Sequence, residues 1–108
     1  MDTLIVVNND QMGLGDRELG LKILGIFLRK VHAMPGVGEI VFWNAGVKLL
    51  TADSPVLADL QNLEKAGIDL LPCGTCVDHF GIELAVGKMS DMDAIIGELG
   101  RAKKVITL

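Results

Sequence analysis

The sequence predicts an α/β fold: a parallel sheet covered by helices on both faces. Three observations carry this. Short apolar runs alternate with longer stretches of helical periodicity. The strand-like runs are almost wholly apolar, as in strands buried on both sides. The 108 residues suit one domain spanning positions 1–108. Right-handed crossovers are expected between successive strands.

Leu4-Ile5-Val6-Val7 is the first strand, ending in Asn8-Asn9-Asp10. Met12-Gly13-Leu14-Gly15 is a loop, and Asp16 caps a helix running to about Ala33, stopped by Pro35-Gly36. Glu39 to Trp43 is the second strand, punctuated by Asn44. Val47 to Thr51 reads either as an edge strand or as an extended connection. Ser54-Pro55 starts the second helix, with Ser as N-cap and Pro at the first helical position. Leu57, Leu60 and Leu63 line one face of it, and Gly67 closes it. Ile68 to Pro72 is the third strand, Thr75 to about Gly81 a short helix, and Ser90 with Asp93 the start of a last helix striped by Met92, Ile95, Ile96 and Leu99. Val105 to Leu108 is the final strand.

The first helix carries more apolar residues than one face holds. Leu19, Leu21, Ile23, Leu24, Ile26, Phe27, Leu28, Val31 and Met34 spread over about 220° at ~100° per residue. A helix packed only on its own sheet needs a narrower stripe. Neighbouring helices of the domain can cover the surplus, or a second copy of the chain can. We expect a homo-oligomer through this helix.

Composition excludes several function classes. The 10 Lys+Arg against 14 Asp+Glu give a net charge of -4, with no basic run, so nucleic acid is not expected as a partner. Mean hydropathy is high, at +0.45. Even so, no apolar stretch approaches the ~18 residues of a membrane span; Lys22 breaks the longest, Leu19 to Leu28. No positive n-region precedes the first apolar run, so a cytoplasmic location is expected, with the two cysteines reduced.

Ligands of open α/β sheets bind beyond the carboxyl ends of the strands. Asn8, Asn44 and Cys73 stand there. The strongest local signal is Cys73-Gly74-Thr75-Cys76, just after a strand and at the start of a helix. Amide N–H groups at a helix start favour an anionic sulfur and lower a thiol pKa. Gly74 would permit close approach of another chain or a donor sulfur, Thr75 could add a donor, and His79, one turn after Cys76, could face it. Two ordinary buried cysteines are the bland alternative. Cys73, Cys76 and His79 have ligand-like spacing, but a structural zinc site needs a fourth ligand, and only His32 or a carboxylate could supply it, so no metal is expected. Gly13-x-Gly15 lacks the third glycine of a dinucleotide loop, that place being Glu18, and Asp10 and Asp16 would repel a phosphate. No cofactor is expected. His32 reads as a solvated helix-end cation, and Phe42 and Trp43 as core or interface residues.

Two stretches carry a resemblance. Met12-Gly13-Leu14-Gly15-Asp16-Arg17-Glu18-Leu19-Gly20 is similar to an MGxGDxELG segment, and Cys73-Gly74-Thr75-Cys76-Val77-Asp78-His79-Phe80-Gly81 to a CGTC-x-x-[FY]-[FY]-G segment, both of the YedF-like selenium-metabolism proteins in the DsrE/DsrF-like sulfurtransferase superfamily. Leu84-Ala85-Val86-Gly87, Gly46-Val47-Lys48-Leu49 and Ser54-Pro55-Val56-Leu57 also fit, so the resemblance spans essentially the whole chain. It implies a three-layer α/β/α sandwich with a mainly parallel sheet of about five strands, and assembly as a trimer or hexamer. It also implies a persulfide-carrying cysteine that passes sulfur between proteins; Cys73 occupies the matching position, and Cys76 is particular to the CGTC subgroup. Many YedF-like proteins carry a further small domain with a CPxP motif, which does not occur in this sequence.

The leading expectation is therefore a sulfur or selenium relay protein with donor and acceptor protein partners. Cys73 would be the nucleophile and carrier, Cys76 the resolving or stabilising thiol, and His79 an aid to proton transfer. A dithiol/disulfide oxidoreductase is the second reading, since a CxxC beside a βαβ pattern suits redox exchange. A non-catalytic binding or regulatory module is the third, because folds of this class host unrelated roles.

Overall fold

In the computed structural model, which describes residues 2–108, the apolar runs form four parallel strands: β1 (Thr3–Val7), β2 (Val37–Phe42), β3 (Asp69–Pro72) and β4 (Lys104–Thr107). Their spatial order is β3-β2-β1-β4. The register sets Ile5 beside Ile40 and Ile106, and Ile40 beside Leu70, so a row of apolar side chains crosses the sheet. Every residue of β1 is buried, as a central strand with a layer on each face must be.

The helices are α1 (Arg17–Lys30), α2 (Leu57–Lys65), α3 (Gly74–Phe80) and α4 (Met92–Arg101). Leu24 and Leu28 of α1 and Leu60 and Leu63 of α2 pack on Ile5, Val7, Ile40, Phe42 and Leu70. On the other face Ile95 of α4, fully buried, packs with Leu4, Val6 and Val41. The result is the expected three-layer α/β/α arrangement, with four strands among the described residues where about five were expected. Asp16 caps α1 as its sequence position predicts, its carboxylate accepting the Leu19 N–H at 2.8 Å. No helix among the described residues is long and apolar enough to cross a membrane.

Three local expectations are corrected. Of residues 47–51, only Thr51 is extended, and none forms an edge strand. Asn44–Leu50 form a 3-10 helix, and its Val47, Leu49 and Leu50 are buried. The cause is contact with β1: a Cβ on Gly46 would lie 2.2 Å from the Val7 carbonyl oxygen, so only glycine lets this turn sit there. Ser54 does not cap α2 directly. Its hydroxyl accepts the Val56 N–H at 3.3 Å and its carbonyl that of Leu57 at 3.2 Å, forming a turn before the helix starts at Leu57. Asp91, not Ser90, caps α4, accepting the Ala94 N–H at 2.8 Å.

The domain's own helices do not cover the surplus apolar surface of α1. Leu19 is 53% exposed, and Ile23 and Ile26 each 37%. One carboxyl runs the other way: Glu39, in the middle of β2, is buried. Burial pushes its pKa up to about 7. Glu98 of α4 hydrogen-bonds to it and, with Asp69 of β3, raises it further by charge, while Arg101 opposes the rise. Arg101 also pairs with Glu98.

Candidate functional site

The carboxyl ends of β2 and β3 lie side by side, and the chain leaves each by a different device. After β2, Asn44 adopts a left-handed backbone with φ 50, a conformation that asparagine tolerates better than most residues. This turns its N–H toward α3, where it donates to Cys76 Sγ at 3.1 Å. After β3, Cys73 continues the extended path. Its N–H donates to the Phe42 carbonyl at 2.9 Å, and it forms a parallel bridge with Ser90. Only beyond Cys73 does the chain coil into α3, closed by Gly81 at φ 63.

These paths separate the two thiols. Cys73 is 1% exposed and packs with Leu4, Val6, Val41 and Ile95 beneath α4. Cys76 touches that same cluster but opens onto a cleft of about 260 Å³ lined by Asn44, Thr75, Cys76, His79 and Phe80. The expectation that Cys73 presents the reachable sulfur is thus corrected. Both cysteines are free thiols, and Cys76 is the accessible one. The physical reason is the segment 89–90. The Gly74 N–H donates to the Ser90 carbonyl and the Ser90 N–H to the Pro72 carbonyl, each at 2.9 Å, which extends β3 and keeps Cys73 in the sheet.

The same bonds revise two supporting roles. The close neighbour that requires glycine at 74 is the chain's own backbone. A Cβ there would lie 3.0 Å from the Ser90 carbonyl oxygen and 3.4 Å from Met89 Sδ. The first amide of α3 is occupied by Ser90, so the donor that reaches a sulfur is Asn44's. Nor is the exposed sulfur made more acidic. Burial pushes the Cys76 thiol above its ordinary value of 9.0, the Asn44 N–H opposes this, and the adjacent Cys73 thiol adds to the rise.

Of the other expected residues, Asn44, Thr75 and His79 meet at the cleft. Asn8 does not. It lies in a separate cleft of about 160 Å³ with Asn9, Gln11 and Leu108. The strand order explains this, since β1 lies between β2 and β4 and its tip packs toward the chain's last residue, whose N–H donates to Val6. Sequence reasoning missed Phe80 and Lys48. Phe80 stands four residues after Cys76 and so shares its helix face, a spacing that could have nominated it. Its ring meets the His79 imidazole edge-on at 5.0 Å and holds the Lys48 ammonium 4.5 Å from its centre, placing a cation beside the cleft wall. Lys48 arrives there only through the 3-10 helix. Among the described residues no three His, Cys, Asp or Glu side chains converge on a point where a metal ion could sit.

A three-layer α/β/α domain with one thiol opening at the carboxyl edge of its parallel sheet defines the class. The chain belongs to the DsrE/DsrF-like family, whose model matches residues 1–108. Solved structures agree in fold. The ychN protein from E. coli superposes with a TM-score of 0.74 at 16% identity, over 99% of this chain and 98% of that one. A protein of unknown function from Methanobacterium thermoautotrophicum gives 0.74 at 20% identity, over 99% and 98%. A conserved protein of unknown function from Bacteroides thetaiotaomicron gives 0.68 at 20%, over 99% and 95%. At these identities the likeness speaks for the fold. No curated protein matches the sequence.

Proposed function

We propose that this chain is a chalcogen relay protein that carries sulfur, or selenium, on Cys76 and passes it from a donor protein to an acceptor protein. The observation that carries the reading is the placement of Cys76: it lines an open cleft, and its sulfur accepts the Asn44 N–H at 3.1 Å. Membership of the DsrE/DsrF-like family and the YedF-like CGTC segment support it. In the loading step the Cys76 thiolate attacks the outer sulfur of a donor persulfide. A new S–S bond forms on Cys76, the donor's S–S bond breaks, and the donor leaves as a thiolate. His79, on the same cleft, receives the Cys76 proton as the sulfur attacks. Handover is the same exchange with an acceptor thiol attacking the outer sulfur.

The site works in the cytoplasm in this reading, in an oligomer assembled through α1 as a trimer or hexamer. The test is loading by a cysteine desulfurase followed by intact mass. Cys73→Ala gains one sulfur mass and Cys76→Ala gains none. Sulfur uptake by Cys76→Ala, or none by Cys73→Ala, ends the reading. A dithiol/disulfide role draws support from the contact between the two thiols. In it a partner exchanges with Cys76 alone and the buried Cys73 resolves the mixed disulfide from within, and a reduction-potential titration of the pair tests it.

A further inference from the structure

The two thiols of the CGTC segment address opposite sides of one sulfur atom. Cys76 lines the cleft on one side, where its Sγ accepts the Asn44 N–H. On the other it packs on the cluster that holds Cys73, whose sulfur is the nearest thiol to it and is sealed from solvent. A sulfane sulfur added to Cys76 must project into the cleft, because the core side is filled. A partner entering from the cleft meets that outer sulfur. Cys73, approaching from the core, meets the inner one.

Resting on the carrier reading above, we infer that Cys73 is a discharge thiol: it attacks Cys76 Sγ from behind and expels the carried sulfur as hydrosulfide when no acceptor takes it. The Cys73 Sγ–Cys76 Sγ bond forms and the bond between Cys76 Sγ and the outer sulfur breaks. The two cysteines are oxidised to a disulfide, the sulfane sulfur is reduced to sulfide, and the Cys73 proton leaves with it. Nothing further is consumed. An external dithiol resets the pair by reducing the disulfide.

Burial assigns Cys73 this partner and no other. With 1% of its surface exposed, it cannot attack a second protein, so its chemistry is confined to Cys76. The connection also permits closure. Residues three apart on a helix hold their Cβ atoms about 5–6 Å apart, and a disulfide needs about 3.5–4.5 Å. Cys73 sits outside the helical turn, at φ -69 and ψ 121, so the fixed helical spacing does not apply to it, and both side chains meet in one apolar cluster. The order of the pair is the reverse of the sequence expectation: the second cysteine carries and the first resolves.

The experiment loads wild-type protein, Cys73→Ser and Cys73→Ala with inorganic polysulfide, removes the excess, and follows sulfide release alongside intact mass. Wild type is expected to release its sulfur as sulfide and to end two hydrogens lighter than the unloaded chain, a change reversed by a dithiol. Both variants should keep the added sulfur at least roughly tenfold longer, since an intramolecular nucleophile has been removed. Alanine accompanies serine because a serine hydroxyl in this apolar cluster could itself unfold the chain. Wild-type protein that loads but discharges no faster than the variants, or discharges without forming the disulfide, overturns the inference and leaves the carrier reading in place. Failure of all three chains to load overturns both.

Discussion

The backbone N–H of Asn44 and the sulfur of Cys76 lie 3.1 Å apart, joined across 32 positions of sequence. The amide holds the sulfur at the mouth of the cleft and favours its charged form, against the burial that disfavours it. Burial prevails, so alkylation of Cys76 by iodoacetamide should show a midpoint above pH 9.0. Peptide mapping of the alkylated chain across a pH series checks this. A midpoint below that value would mean that the amide outweighs desolvation.

Substitutions at Asn44 should divide by backbone tolerance. Asn44→Gly keeps the N–H and the left-handed turn, so stability should change by less than about 1 kcal/mol. Asn44→Val forces a β-branched residue into that turn and should cost about 1–2 kcal/mol. It should also slow Cys76 alkylation at fixed pH, because the displaced amide no longer favours the thiolate. Urea denaturation and alkylation rates measure the two effects separately.

Gly46→Ala should be strongly destabilising. Its Cβ would fall 2.2 Å from the Val7 carbonyl oxygen, a backbone atom that cannot step aside. A loss of about 3 kcal/mol is expected from overpacking of this kind. Thermal melting reads it, and Lys48 and Asn44 should lose their places with the turn.

Glu39 predicts a pH dependence of stability. Its folded pKa of about 7 lies above the ordinary 4.5. The stabilisation linked to its bound proton is therefore complete below about 4.5 and is lost as pH rises through about 7. Glu98, bonded by Glu39 and Arg101, is held below its ordinary range and pulls the opposite way at lower pH. Glu39→Gln should flatten the dependence and leave the protein on the order of 1 kcal/mol more stable than wild type at pH 8. Denaturation at pH 5 and pH 8 compares the two chains.

The exposed face of α1 predicts association. Wild-type protein should sediment as a trimer or hexamer, and Ile23→Glu or Ile26→Glu should shift it toward monomer without unfolding it, since both residues are partly solvent-facing in the single chain. Sedimentation velocity with circular dichroism separates dissociation from unfolding.

Local chemistry made most of the fold legible. The apolar runs of β1 and β2, the Asp16 cap and the left-handed Gly67 after α2 act within a few residues of themselves, and each stands where its pattern places it. What escaped depends on contacts between distant segments. Val47, Leu49 and Leu50 have strand-like composition, but their burial comes from a 3-10 turn that the Val7 carbonyl permits at Gly46 alone. Asn8 and Asn44 look equivalent as polar strand ends until the strand order separates them. The division between the cysteines was illegible for the same reason: it is made by Ser90, 17 positions after Cys73, through a bridge that leaves no mark in the CGTC spacing.

That bridge is built wholly from main-chain atoms: the Gly74 N–H on the Ser90 carbonyl and the Ser90 N–H on the Pro72 carbonyl. Its upkeep therefore makes almost no demand on which side chain occupies position 90. Nineteen of the residue types can serve there as far as the bridge is concerned; proline, which has no amide hydrogen to give, is the lone misfit. The privacy of the inner thiol is thus encoded by the absence of one amino acid at a site that otherwise looks free to drift.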